Sequence, residues 1–88
     1  MKDLCLKTPS LMPLVYRENV RQLEKWGVQD LEPFAWLAFA TEELGETSQA
    51  ISNFIYNGGL AEDVVTEAIQ TATLCLKIAE MYMALKNQ

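Results

Sequence analysis

Thr41-Glu42-Glu43-Leu44-Gly45-Glu46-Thr47-Ser48-Gln49 is the stretch on which the reading of this chain turns. Phe34-Ala35-Trp36-Leu37-Ala38-Phe39-Ala40 precedes it, and Ala50, Ile51, Phe54 and Ile55 follow, so three carboxylates stand inside an otherwise apolar helix. At about 100° per residue, Glu43 and Glu46 fall roughly 60° apart on one face, and Glu42 is the i+4 neighbour of Glu46. A helix apolar over most of its circumference is usually buried. Carboxylates in its middle then need cations, hydrogen bonds or a metal. No lysine or arginine occurs from Trp26 to Leu76.

Composition bounds the rest. The 88 residues read as a single helical domain, 1–88, with residues 1–13 as an N-terminal arm. A chain of this size buries only about 60 to 65% of its unfolded surface. Half the residues are hydrophobic and 22% are charged, the balance of a globular protein. Seven basic and twelve acidic side chains give a net charge of −5. With no basic patch to neutralise phosphates, nucleic-acid binding is not expected. An acidic protein can still bind a phosphorylated small molecule through a divalent cation. Cys5 and Cys75 lack a paired-motif spacing and the chain has no histidine, so no zinc site is expected and both read as reduced thiols. Neither a signal peptide nor a membrane span is legible, which points to a cytoplasmic protein.

Outward from the acidic stretch, the elements are all helical. Pro33 suits the first position of the helix that carries the stretch, and Asn57-Gly58-Gly59 ends it after Tyr56. Before it, Leu14, Val15, Val20, Leu23 and Trp26 recur at three- and four-residue steps, an amphipathic helix over 14–26 closed by Gly27. Ser10 is a candidate N-cap, with Pro13 in the first turn. After the glycine turn, Glu62 and Asp63 open a third helix near Leu60 and Lys86 lies near its end, each charge suited to the helix dipole. Two of these three helices are apolar over most of their surface. The expected architecture is therefore all-α, three main helices forming a four-helix-type bundle on oligomerisation, as a homodimer or homotetramer.

The third helix repeats the acidic spacing. Glu67 and Gln70 stand i, i+3 among Val64, Val65, Ala68, Ile69 and Ala72. Helices joined by so short a turn pack antiparallel, and residues equidistant from the turn lie level. Counted from Gly58, Glu46 and Gln70 are both 12 residues away, and Glu43 and Glu67 are 15 and 9 away. Four oxygen-bearing side chains thus converge, as a hard cation such as Mg²⁺ requires. Spacing alone leaves two readings open, a metal site and a water-facing acidic groove. A dinuclear iron site is not supported, since its Glu-x-x-His elements need histidine.

Glu24-Lys25-Trp26-Gly27-Val28-Gln29, Trp36-Leu37-Ala38, Glu42-Glu43-Leu44-Gly45-Glu46 and Glu67-Ala68-Ile69-Gln70 together resemble the MazG-like family of all-α nucleoside triphosphate pyrophosphohydrolases. The resemblance spans about residues 14–82. It implies Mg²⁺-dependent hydrolysis of a (deoxy)nucleoside triphosphate to the monophosphate and pyrophosphate, with Mn²⁺ as an alternative ion. By motif, Glu43, Glu46 and Glu67 are metal ligands, and Glu42 is the base or an outer acceptor. The family continues with Asp where this chain has Gln70, which removes one charge from the set. A non-catalytic nucleotide- or partner-binding helical oligomer of the same fold is the alternative. Trp26 is the candidate for stacking on a base, beside its ordinary role as packing. Arg21, Lys25 and Lys77 are the candidates for triphosphate contact, beside the commoner role of surface cations. Asn53, seven residues past Glu46, is a candidate pocket residue, and Trp36 reads as packing.

Overall fold

Helix α1 spans Leu11–Trp26, α2 Pro33–Tyr56 and α3 Ala61–Lys86. The computed structural model describes Leu6 and residues 8–87, and contains no strand among them. Cys5 and the first residues of the expected arm lie outside the described residues; Cys75 is a free, exposed thiol.

α1 begins three residues earlier than the apolar periodicity alone predicts. Pro13 is compatible with this because the first four N–H groups of a helix have no intrahelical acceptor, so its missing donor removes nothing. Ser10 occupies the N-cap position, but its side chain makes no capping hydrogen bond. The start is closed by the backbone instead, Leu11 N–H donating to the Thr8 carbonyl at 3.2 Å.

α2 opens on Pro33, with the Glu32 carboxylate accepting from the Phe34 N–H at 3.1 Å. Its C-terminus closes where the sequence places it. Gly58 adopts φ +71°, and the Gly59 N–H donates to the Asn53 carbonyl at 2.9 Å. A Cβ on Gly59 would lie 3.0 Å from the Asn53 backbone, so the tight return into α3 depends on glycine there.

α2 and α3 form a long antiparallel hairpin, and α1 lies against α3 while standing off α2. Trp36, Ala40 and Leu74 form the core, flanked by Leu31, Ile78 and Met81. The Trp36 and Phe39 rings meet edge-to-face, centroids 6.3 Å apart. Thr47 and Thr71 face each other across the hairpin with hydroxyls 3.3 Å apart, each donating to the carbonyl of the preceding turn or sharing its proton with the other.

The amphipathic reading of α1 holds only in part, since the inward face carries the half-buried Leu14 and Val15 together with polar groups. Its expected apolar face is incompletely covered, with Val20, Leu23 and Trp26 exposed, whereas Glu18 and Gln22 are buried at 8% and 5% exposure. These polar groups tolerate burial because they are paired. Arg21 grips Glu18 with two hydrogen bonds of 2.8 Å, Gln22 donates to the same carboxylate at 2.7 Å, and Lys77 of α3 donates to the Gln22 carbonyl.

The helices expected to be buried all round are not buried within one chain. Leu37, Leu44, Ile51 and Ile55 of α2 remain exposed. The chain exposes 7054 Å², where a compact monomer of its mass would expose about 5,200 Å². Among the described residues, no helix is long and apolar enough to cross a membrane.

Candidate functional site

The i, i+3 spacing on two antiparallel helices brings one acidic group together. Carboxylate oxygens of Glu43, Glu46 and Glu67 lie within 4.8 Å of one another, with Glu43 and Glu67 partly buried and Glu46 exposed. Gln70 completes the group. With its amide nitrogen turned inward, Gln70 donates to Glu43 Oε2 at 2.8 Å and to Glu67 Oε2 at 3.1 Å. With the carbonyl turned inward instead, its oxygen faces those two carboxylate oxygens at the same distances. A cation among them, or a proton on Glu43, makes that second arrangement favourable.

Electrostatics mark the same place. Burial, the hydrogen bond to Glu67 and the charge of Glu46 push the Glu43 carboxyl up to about 7. Glu67 is also raised, first by burial and then by the neighbouring Glu46 and Asp63, although a proton shared from Glu43 works the other way. Such a pair holds a proton at neutral pH unless a cation replaces it. The donor set is all oxygen, with neither histidine nor thiolate, and so fits a hard ion such as Mg²⁺ or Mn²⁺ better than zinc or copper.

The gap between α1 and α2 is a cleft of about 250 Å³, and Glu43 and Gln70 reach its surface. Trp26 and Gln29 line it from the α1 side, Trp36, Phe39 and Glu42 from α2, and Leu74 from the α3 floor. The buried Glu18 and Gln22 and the exposed Arg21 bonded to Glu18 form the rest of the α1 wall. Burial alone would raise Glu18, but its bonds from Arg21 and Gln22, with the charges of Arg21 and Lys77, hold it below the usual carboxylate range. Arg21 is raised, chiefly by its bond to Glu18, and also feels the charge of Glu43.

The expected site residues therefore divide. Glu42, Glu43, Gln70, Trp26 and Arg21 share the cleft, and Glu46 and Glu67 adjoin it through Glu43. Lys25 lies over the Trp26 ring at 4.7 Å and does not line the cleft. Lys77 sits 5.1 Å over the Trp36 ring and bonds Gln22; it faces a second groove, between α1 and the C-terminal half of α3. Burial lowers its pKa, against the pull of Glu18 and Glu80. Asn53 is not among the cleft residues; it accepts from Gln49 at 3.0 Å and Asn57 at 3.3 Å near the end of α2. Glu18, Gln22, Gln29 and Phe39 are cleft residues that the sequence reading did not single out. Glu18, Arg21 and Gln22 do share the i, i+3, i+4 spacing of one helix face, the same signal that marks Glu43 and Glu46.

No protein-family model, curated protein or solved structure matches the chain.

Proposed function

We propose that this chain is a Mg²⁺-dependent nucleoside triphosphate pyrophosphohydrolase of MazG-like fold, acting in cytoplasmic nucleotide-pool house-cleaning. The observation that carries the reading is the meeting of Glu43, Glu46, Glu67 and Gln70 beside a cleft walled by Trp26, Trp36 and Phe39. Glu43, Glu46, Glu67 and the Gln70 carbonyl would hold Mg²⁺, which when bound offsets phosphate charge and lowers the pKa of water. At 250 Å³ the cleft lies near the lower end of small-ligand pockets, about 300 Å³. It takes the nucleoside, and the phosphates extend over the open carboxylates.

Each remaining residue then has a task that its position permits. Trp26, half-exposed at the mouth, stacks on the base. Arg21 has its guanidinium already oriented by Glu18 and turns its charge to the triphosphate. Glu42, exposed on the cleft wall, accepts the proton of the attacking water. The water oxygen bonds to the α phosphorus, the bond from that phosphorus to the bridging oxygen breaks, and pyrophosphate leaves. The subunits assemble as a homodimer or homotetramer in which a four-helix-type bundle covers the exposed apolar surface.

A second reading, nucleotide or partner binding without hydrolysis, is favoured by Gln70. As a neutral amide donating to Glu43 and Glu67, it satisfies both carboxylates with no ion. Incubation of the full chain with standard and damaged (d)NTPs and Mg²⁺ or Mn²⁺ separates the two. The proposal expects pyrophosphate and monophosphate in equal amounts, falling at least about 100-fold in Glu43→Ala or Glu67→Ala. No turnover across the panel, with nucleotide binding that ignores chelator, favours the second reading and sinks the first.

A further inference from the structure

We infer that the groove between α1 and the C-terminal half of α3 binds a medium-chain alkyl carboxylate, its head on the Lys77 ammonium and its chain along the apolar walls. The groove is separate from the cleft beside the acidic group, sharing with it only Trp36 and Gln29, and the inference does not rest on the chemistry assigned to the glutamates.

The groove measures about 620 Å³, within the roughly 300–1,000 Å³ of small-ligand sites. Met12, Val15 and Leu23 line it from α1, Leu76 and Met81 from α3, and the buried Trp36 from α2. Methionine in both outer walls suits a flexible chain, because its unbranched thioether re-packs around whatever lies against it. A surface of this kind takes an alkyl chain without demanding a fixed shape.

Charge decides the head group. Among the described residues, Lys77 is the one cation lining the groove, midway along the α3 wall between Thr73 and Met81. Its ammonium lies 5.1 Å over the Trp36 ring and donates to the Gln22 carbonyl, yet it forms no ion pair; the one pair among the described residues is Arg21 with Glu18. The Glu18 oxygens already accept from Arg21 and Gln22. A partly buried ammonium facing only an amide carbonyl and a ring is incompletely compensated, and burial lowers its pKa accordingly. An anion entering the groove supplies the missing charge. Glu80, exposed on the same wall one turn further along α3, repels a second negative charge and so selects a monoanionic carboxylate over a dianionic phosphate. Asn19, partly buried in the α1 wall, adds an amide donor for the head, whereas the Thr73 hydroxyl is taken by the Ile69 carbonyl at 2.8 Å.

Calorimetric titration of the full chain with octanoate, hexanoate, octylammonium and 1-octanol tests this. Octanoate is expected to bind roughly tenfold more tightly than hexanoate, since two further methylenes leave water, and at least about tenfold more tightly than octylammonium. Lys77→Met keeps the apolar stem and removes the charge; it is expected to weaken octanoate at least about tenfold without weakening 1-octanol. Should Lys77→Met fail to fold, Leu76→Glu places an acid at a half-exposed position on the groove wall and is expected to abolish octanoate binding, whereas Phe54→Glu, exposed and outside the groove, leaves it unchanged. No heat at millimolar octanoate, equal affinity for octanoate and octylammonium, or octanoate binding that survives Leu76→Glu overturns the inference. Self-association of the chain that Leu76→Glu abolishes and octanoate does not compete assigns the groove to a second copy, and overturns it as well.

Discussion

Gln70 is the residue on which the chemistry turns. Its amide is neutral and two-ended, so it can donate to Glu43 and Glu67 in the absence of an ion and offer a carbonyl in its presence. Gln70→Asp adds a fourth carboxylate to a site already raising its members' pKa values. The metal-free variant is expected to lose about 1 kcal/mol of stability by like-charge repulsion and to bind Mg²⁺ at least about tenfold more tightly, both readable from thermal unfolding with and without the ion. Glu43 supplies a pH signature. Its pKa is raised from an ordinary 4.5 to about 7, so the folded state holds this proton more tightly than the unfolded chain. The stability it contributes is complete below 4.5 and lost as the pH rises through about 7. The melting temperature without metal is therefore expected to fall between about pH 5 and pH 8, and Glu43→Gln to flatten that slope. A melting temperature that rises over the same range contradicts the assignment.

Among the elements, α1 teaches the most about what the sequence could and could not reveal. The ends of α2 were legible because they are local matters: Pro33 starts it and Asn57-Gly58-Gly59 stops it, whatever the rest of the chain does. The meeting of Glu43 with Glu67 was legible too, since a short turn fixes the level of two antiparallel helices. The buried face of α1 was not. Glu18 and Gln22 are inward because Arg21 pairs with Glu18, Gln22 donates to the same carboxylate, and Lys77, 55 residues from Gln22, reaches across from α3. No local periodicity records that partner. Arg21→Ala leaves the buried Glu18 carboxylate with only Gln22 bonded to it, and is expected to cost about 1–3 kcal/mol in denaturant unfolding. Trp36→Ala removes the largest side chain of a small core shared with the cleft wall, and is expected to cost about 3–5 kcal/mol. Substitution of Asn53, outside the cleft, is expected to leave nucleotide affinity unchanged.

For the whole molecule, the two sides of the α2–α3 hairpin differ in character. One side is acidic, cleft-forming and partly covered by α1; the other is uncharged, apolar and exposed. This division explains how one helix can be apolar nearly all round and still carry three glutamates, since the acids and the exposed Leu37, Leu44 and Ile51 share α2 without sharing a face. It also accounts for a chain 47 Å long with only four buried hydrophobic side chains among the described residues. Whether the acidic side holds a divalent cation is read from Mn²⁺ titration followed by electron paramagnetic resonance, with and without a non-hydrolysable nucleotide. The free-ion signal is expected to be lost on addition of wild-type chain and restored by competing Mg²⁺, with no such loss for Glu43→Gln/Glu67→Gln. A free-ion signal that wild-type chain leaves unchanged at millimolar Mn²⁺, with nucleotide present, would contradict a cation site there.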